Sequence, residues 1–110
     1  MGYGEAAATL ASSYSNFPNP FAAGRTSTAF TYVLAQDATV TLQIWTATGD
    51  KVTTLIPGQS RGAGLHQDDR WNGLNGAGRP VVNGVYLAEL MVSYPDGTHE
   101  RLLRKVAVTR

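Results

Sequence analysis

The sequence predicts an all-β domain, an antiparallel β-sandwich of about seven strands. Short segments in which apolar and polar residues alternate are separated by turn signals rich in Gly, Pro, Asn and Asp. No segment repeats its apolar residues at the spacing of an amphipathic helix. Many short strands without helices are typical of two stacked antiparallel sheets.

Residues 1–15 are small and polar, rich in Ala, Ser, Gly and Thr. This composition is typical of a linker, so we interpret them as a linker or a remnant and expect the folded domain to span 16–110. The domain then opens with N-F-P-N-P-F at 16–21, called here the proline segment. Its two prolines restrict the preceding residues to extended geometry, and its two phenylalanines can reach a core. We expect a rigid segment at the domain edge.

The clearest strand is 39–45, because Val40, Leu42 and Ile44 alternate with polar residues. The weakest is 65–71, in which four consecutive polar residues occupy positions where a buried face needs apolar ones. Pro57 and Gly58 are expected to end the third strand before a flexible loop. The expected strands are 26–34, 39–45, 51–56, 65–71, 85–93 and 99–109.

A long connection, W-N-G-L-N-G-A-G-R-P-V-V-N-G-V-Y, extends from Trp71 to Tyr86. Its glycines and asparagines favour turns and its proline removes a backbone donor, so it cannot be a helix. We expect a structured loop between two sheets, held at both ends by large side chains that reach the core.

Composition excludes several classes of function. Nine basic and eight acidic residues give a net charge of +1, which provides no field for attracting nucleic acid. The sequence contains no cysteine, which excludes disulfides, thiol nucleophiles and thiolate metal sites. No apolar run is long enough for a membrane helix. We therefore expect no nucleic-acid partner and no membrane span.

Several motifs, taken in order, resemble one family. They are the proline segment, T-x-x-I-W-x-x-x-G-D-K-V at 41–52, W-N-G-x-N-x-x-G-R-P-V at 71–81, G-V-Y at 84–86 and K-V-A-V-T-R at 105–110. Together they are similar to the Ig-like C-terminal domains of bacterial secreted and surface proteins. That group is related to the Ig-like domain of the flagellar hook-capping protein and to type IX secretion sorting domains. The resemblance implies an Ig-like or fibronectin III-like sandwich.

The resemblance also implies where partners bind. It implies an exported or surface-located protein in which the domain follows an upstream domain of the same polypeptide. Secretion or cell-surface machinery would recognise an exposed edge of the domain. The residues matching the family motifs, and so assigned to partner or sorting recognition, are Pro18, Asn19, Pro20, Gly84, Tyr86, Lys105 and Arg110.

The fourth strand departs from the family pattern. The family has His, an apolar residue and Trp at alternating spacing, whereas four polar residues separate His66 from Trp71 and Asp69 takes the apolar position. Asn72 stands where Asp is usual. These departures predict a bulge in the fourth strand.

A calcium site is one hypothesis for Asp68, Asp69, Asn72 and Asn75, oxygen-bearing side chains beside a glycine-rich loop. The alternative is that the asparagines cap turns while the aspartates lie in solvent. Apart from this Ca²⁺, no cofactor is expected.

Trp45 suggests a different binding class. It lies on the strand face opposite Val40, Leu42 and Ile44, where an aromatic ring can stack on sugars. A carbohydrate-binding accessory module of a secreted glycoside hydrolase, with polysaccharide as partner, is therefore an alternative function. A third is a structural subunit of an extracellular assembly.

Catalysis has little support. His66 and His99 lie on different strands without a serine nucleophile motif, and adjacent Asp68 and Asp69 project from opposite strand faces. The sequence therefore favours a non-catalytic module that acts in sorting, cell-surface attachment or assembly.

Overall fold

The computed structural model describes residues 9–109, which contain one short helix and eight strands. Strand patterns with alternating burial, such as that of the seven residues beginning at Thr28, produce these elements from the sequence. The elements are α1 (Leu10–Ser13), β1 (Ser15–Phe17), β2 (Phe21–Ala22), β3 (Thr28–Leu34), β4 (Ala38–Thr46), β5 (Lys51–Arg61), β6 (Gly64–Trp71), β7 (Gly84–Ser93) and β8 (His99–Thr109).

The strands form two sheets, which confirms the predicted all-β sandwich. One sheet has three strands in the order β1-β3-β6, and the other has five in the order β2-β8-β7-β4-β5. All the strand pairs are antiparallel except β2 with β8, which is parallel. The proline segment supplies β1 and β2, one strand to each sheet, and this raises the number from about seven to eight.

The core lies between the sheets, and Trp71 is its largest fully buried side chain. The indole ring packs edge-on against Phe21 and Tyr86, with ring centroids 5.5 and 5.7 Å away. Its Nε1–H donates to the carbonyl oxygen of Leu74 at 2.9 Å, so the buried donor is satisfied. Trp71 and Tyr86 therefore hold both ends of the long connection, as predicted, and that connection links the two sheets.

The segment before Asn16 packs more closely than a linker. Leu10 and Tyr14 are buried, and Thr9 begins α1 with a capping box that it forms with Ser12. The described part of the predicted linker thus belongs to the packed domain, because two apolar side chains in a polar stretch are enough to anchor it. The rest of that segment, residues 1–8, lies outside the described residues, where the linker interpretation remains a prediction.

The third predicted strand is longer than the sequence indicates. β5 continues through Pro57 and Gly58 to Arg61, so the prediction that they end the strand is wrong. β5 pairs only with β4, which leaves one side without a ladder, and a proline is tolerated on such an edge strand. Its pairing with β4 also shifts register three times.

The weak fourth strand contains the predicted irregularity. Phe30 pairs with Asp69 and Tyr32 with His66, so β6 has one more residue than β3 between these pairs. The extra residue lets Gln67 and Asp68 both remain exposed, while His66 before them and Asp69 after them are both half-buried.

Gly73 fixes the long connection against β2. Its φ is +80°, and a Cβ at this position would lie 2.6 Å from the Cα of Ala23, so only glycine fits. The adjacent carbonyl of Asn72 accepts a hydrogen bond from the N–H of Gly24 at 2.8 Å. The connection is therefore a structural element of the sandwich.

Candidate functional site

Asn19 joins the proline segment to the last strand. Its Nδ2–H donates to the carbonyl oxygen of Lys105 at 3.0 Å, and its Oδ1 accepts from the N–H of Ala107 at 2.8 Å. A side-chain amide carries the same donor and acceptor as a backbone peptide group, so Asn19 pairs with β8 as a neighbouring strand would. We call this pair of hydrogen bonds the asparagine clamp.

β2 continues the clamp along the same edge. Phe21 pairs with Val108 and Ala22 with Thr109, and the N–H of Ala23 donates to the carbonyl of Thr109 at 3.1 Å. From Lys105 to Thr109, the edge of β8 is thus already paired with the proline segment. A partner could add a strand there only by displacing it.

The clamp brings two of the predicted recognition segments together. Pro18 and Pro20, on either side of Asn19, are exposed, as is the side chain of Lys105. Phe17, the residue before Pro18, is 80% exposed. We call these four exposed side chains, together with Asn19, the composite surface; Phe17 comes from β1 of the three-stranded sheet and Lys105 from β8 of the five-stranded sheet, and Asn19 joins the two segments. The remaining predicted residue of the last strand, Arg110, lies outside the described residues.

The predicted recognition residues Gly84 and Tyr86 lie on β7, paired with Val108 and Val106 of β8, and do not belong to the composite surface. Tyr86 is buried against Trp71, and its hydroxyl donates to the carbonyl of Val82 at 2.6 Å. Burial raises the pKa of Tyr86. Its ring therefore belongs to the core, whereas Gly84 is exposed at the start of β7, paired with Val108.

Arg104, on β8, binds α1 and Tyr14 to the five-stranded sheet. Its Nε–H donates to the carbonyl of Tyr14 at 2.9 Å, its Nη2–H donates to that of Ala11 at 2.6 Å, and the guanidinium carbon lies 5.3 Å from the centroid of the Tyr14 ring. The Tyr14 hydroxyl in turn donates to the carbonyl of Ala88 at 2.9 Å. Burial raises the pKa of Tyr14, and Arg104 opposes that shift. No motif in the sequence predicts this contact, since its partners are backbone carbonyls.

The structure shows what the predicted calcium ligands bind within the protein. Asp69 accepts from the hydroxyl of Tyr32 at 2.9 Å through Oδ2 and from Nη2 of Arg61 at 3.0 Å through Oδ1. Burial and the hydrogen bond to Asp69 raise the pKa of Tyr32. Asp69 thus links β5 to the other sheet, while Asp68, the fourth predicted ligand, is exposed.

The two asparagines bond to their own turns. Oδ1 of Asn72 accepts from the N–H of Leu74, and Oδ1 of Asn75 accepts from the N–H groups of Ala77 and Arg79. These contacts match the turn-capping alternative. Between residues 9 and 109, no group of three or more His, Asp and Glu side chains is arranged to hold a metal ion. The calcium hypothesis stays a prediction for titration to test.

Trp45 lies on the outer face of the five-stranded sheet. It lines an open pocket of about 280 Å³ together with Leu87, Glu89, Arg101 and Leu103. Its indole Nε1–H donates to Oε1 of Glu89 at 2.9 Å, and Oε2 of Glu89 accepts from Nε of Arg101. Trp45 is recognisable in the sequence but Glu89 and Arg101 are not, because only the register of β4, β7 and β8 places them together.

The two histidines lie in different sheets, His66 on β6 and His99 on β8. His66 stacks on the ring of Tyr32, with centroids 5.3 Å apart, and its Nε2 lies 2.7 Å from the carbonyl oxygen of Gly62. His99 is exposed at the start of β8, paired with Ser93. These contacts account for His66 as a structural residue.

Comparison with known proteins identifies the fold. No protein-family model and no curated protein matches the sequence. Among solved structures, the chain is similar to dimeric latent PorU from Porphyromonas gingivalis, with a TM-score of 0.66 and 21% identity over 88% of this chain. The match covers only 9% of the PorU chain, so the similar region is a small part of that larger polypeptide.

Two flagellar proteins are also similar. FlgD from P. aeruginosa matches with a TM-score of 0.63 and 18% identity, over 86% of this chain and 72% of FlgD. FlgD from Xanthomonas campestris, a protein of the hook capping that is essential for flagellar assembly, matches with a TM-score of 0.58 and 20% identity, over 89% of this chain and 71% of FlgD. In residues 9–109, no helix has the length and apolar character needed to cross a membrane. The chain therefore has the sandwich fold shared by PorU and FlgD, as the motif resemblance implied.

Proposed function

We propose that this domain is a non-catalytic module of a larger secreted or surface-located polypeptide and acts in its sorting, surface attachment or assembly. The observation that carries the proposal is the asparagine clamp. It unites the proline segment and the last strand, which are 86 residues apart between Asn19 and Lys105, in one exposed surface.

Recognition would use the side chains of the composite surface. The backbone of β8 from Lys105 to Thr109 is already paired, whereas Phe17, Pro18, Pro20 and the ammonium of Lys105 face solvent. Exposed aromatic and proline rings beside a cation give an apolar anchor with a charged rim, which suits a protein partner. The partner would be a component of the secretion or cell-surface machinery.

The structural relatives support a module of this kind. The similar region of PorU is part of a much longer chain, and FlgD from Xanthomonas campestris is a protein of hook capping in flagellar assembly. An upstream domain of the same polypeptide would then be the passenger that the module sorts or attaches. We place the protein outside the cytoplasm or at the bacterial surface.

A reporter fusion tests the sorting function. The chain, fused behind a reporter enzyme carrying an export signal, is expressed in a bacterium with type IX secretion, and reporter activity is measured in medium, surface and periplasm. We expect the wild-type fusion to leave the periplasm. Lys105→Glu should reduce external reporter at least tenfold, because it reverses the charge of the composite surface while leaving both backbone groups available to Asn19.

Lys51→Glu is the matched control, since it makes the same charge change on β5 at the other edge of the same sheet. We expect it to be exported like the wild type, and thermal unfolding of both purified domains verifies that they fold. A wild-type fusion that remains periplasmic would refute the sorting version of the proposal. An equal loss of external reporter activity in both variants would exclude the composite surface as the recognition site.

Carbohydrate binding is a second candidate function, favoured by the position of Trp45. Its ring lines an open pocket on the outer face of the five-stranded sheet, far in the sequence from the proline segment. A module that holds its polypeptide on a polysaccharide would need an aromatic ring accessible from such an open face, and Trp45 is half-buried there. Loss of polysaccharide binding in Trp45→Ala, with wild-type binding as the reference, tests this candidate.

A further inference from the structure

Glu89 holds Trp45 in one orientation. The Glu89 side chain is only 7% exposed, although it lies on the outer face of the sheet, and its Oε1 receives the indole N–H at 2.9 Å. The only polar atom of the Trp45 side chain is therefore already bonded. What the indole offers to the pocket is a fixed apolar ring surface.

The same carboxylate orients Arg101. Its Nε donates to Oε2 of Glu89, yet the Arg101 side chain remains 60% exposed. Within the part of the chain that the structure describes, its two Nη groups have no hydrogen-bond partner. A guanidinium held at Nε presents its remaining donors in a fixed plane, the geometry that binds a carboxylate in two places.

Two lysines flank the pocket. On β5, Lys51 is the direct partner of Trp45, and on β8, Lys105 is the direct partner of Leu87, which itself pairs with Trp45. Directly paired residues project from the same face of a sheet, so both lysines share the face of the indole. Glu89 is buried and paired with Arg101, and Asp50 precedes Lys51, so Arg101 and the two lysines leave the surroundings of the pocket with a net positive charge that favours an anion.

The pocket is small and apolar at its floor. Its volume of about 280 Å³ is near the lower end for ligand sites, and Leu87 and Leu103 line it with Trp45. This space suits one ring in a chain that continues across the open sheet face. A ligand that fits this pocket therefore needs a flat ring face to stack on the indole and a carboxylate to bind Arg101.

We propose that this pocket binds a sugar ring bearing a carboxylate, a uronic acid unit of an acidic polysaccharide. The inference rests on the second candidate function and narrows it from polysaccharide to an anionic class. The ring stacks on Trp45, its carboxylate accepts from the Nη groups of Arg101, and Lys51 and Lys105 attract the neighbouring units of the polymer.

Binding to polygalacturonic acid tests the proposal, measured by calorimetry and by retardation in polymer-containing native gels. Fully methyl-esterified polygalacturonate has the same rings without the charge, and poly-L-glutamate has the charge without the rings. We expect the domain to bind the acid at least tenfold more tightly than either. Leu103→Glu, on the pocket rim, should weaken binding of the acid at least tenfold by repulsion.

Leu65→Glu is the matched control, because Leu65 is also exposed, 58% against 39% for Leu103, but lies on β6 in the other sheet. We expect it to bind like the wild type. Trp45→Phe should lose part of the binding, since a stacking face survives but its bond to Glu89 does not, whereas Trp45→Ala should lose all of it.

The outcomes separate this inference from both candidate functions. Binding of poly-L-glutamate as tight as that of the acid, or equal loss in Leu65→Glu and Leu103→Glu, would overturn the uronate site. Binding of neutral dextran or laminarin through Trp45 without preference for the acid would also overturn it but keep the carbohydrate function. If no polymer binds, both fail, whereas export of the wild-type reporter fusion decides the sorting proposal separately.

Discussion

The two edges of the five-stranded sheet are protected in different ways. Along β8 the backbone groups from Lys105 to Thr109 are bonded by Asn19 and β2, residues that come from the other end of the chain. β5, at the opposite edge, has no such cover along most of its length. Instead it carries Pro57 and three register shifts against β4, which make it irregular.

Both solutions prevent two sheets from pairing edge to edge, which is the main hazard of an open sandwich. Irregularity requires only residues within the strand itself. A cover requires a second segment in a fixed position, and it leaves the outer side chains of that segment available on the surface. From Lys105 to Thr109, the β8 edge can therefore serve recognition while remaining closed, whereas the β5 edge is only protected.

Phe21→Ala should have the largest effect on the β8 edge. Phe21 is buried against Trp71, and its removal opens a cavity and loosens β2 from β8. We expect a loss of about 3–5 kcal/mol in the free energy of unfolding, measured by urea denaturation. A loss below about 1 kcal/mol would mean that β2 contributes little to the closure of this edge.

Alkaline unfolding should reveal the anchoring of α1 beside β8. Because the pKa of Tyr14 is raised in the folded state, its contribution is complete below the unfolded pKa of about 10 and is lost as pH rises beyond it. Above about pH 10, the free energy of unfolding should fall less steeply in Tyr14→Phe than in the wild type, by up to about 1.4 kcal/mol per pH unit. Urea titrations between pH 8 and 11 measure this slope. An unchanged slope would show that the hydroxyl is solvated.

Asn19→Ala should open the β8 edge with a smaller effect on stability. Two hydrogen bonds at an exposed site contribute about 1 kcal/mol, but the freed groups of Lys105 and Ala107 become a template for another chain. We expect self-association that rises with protein concentration, measured by sedimentation velocity. Asn83→Ala, at an exposed position on the long connection, is the control, and its sedimentation should match that of the wild type.

Pro57→Thr should have the smallest effect. It adds a backbone donor to an edge strand that remains bulged, so we expect stability within about 0.5 kcal/mol of the wild type and no self-association. The same two measurements apply. Strong association would show that Pro57, and not the register shifts, protects the β5 edge.

Much of the fold follows from local sequence patterns. The alternation of Val40, Leu42 and Ile44 predicts β4 and its buried face, and the departure of the polar run before Trp71 from the family pattern correctly predicts the bulge in β6. These features are readable because each depends on residues within a few positions of one another. The predicted end of β5 is wrong because an edge strand accepts a proline that a central strand would exclude.

The candidate sites are only partly predictable, for a different physical reason. Trp45 and Asn19 are recognisable as unusual residues, but their partners Glu89 and Lys105 come from strands far along the chain. Only the sheet order and register bring them together. Tyr14 falls within the predicted linker because a single buried aromatic residue leaves no periodic pattern, and its bonds are to distant residues of β7 and β8.

The parallel pairing of β2 with β8 has a mechanical consequence. A force that pulls residue 9 away from residue 109 draws β2 toward its own start and β8 toward its own end, so the strands are pulled in opposite directions along a shared axis. The bonds that Asn19 and Ala23 make with β8 are then sheared together, whereas an antiparallel hairpin pulled at its open end unzips one bond at a time. Between β2 and β8, the contact therefore resists such a force in shear.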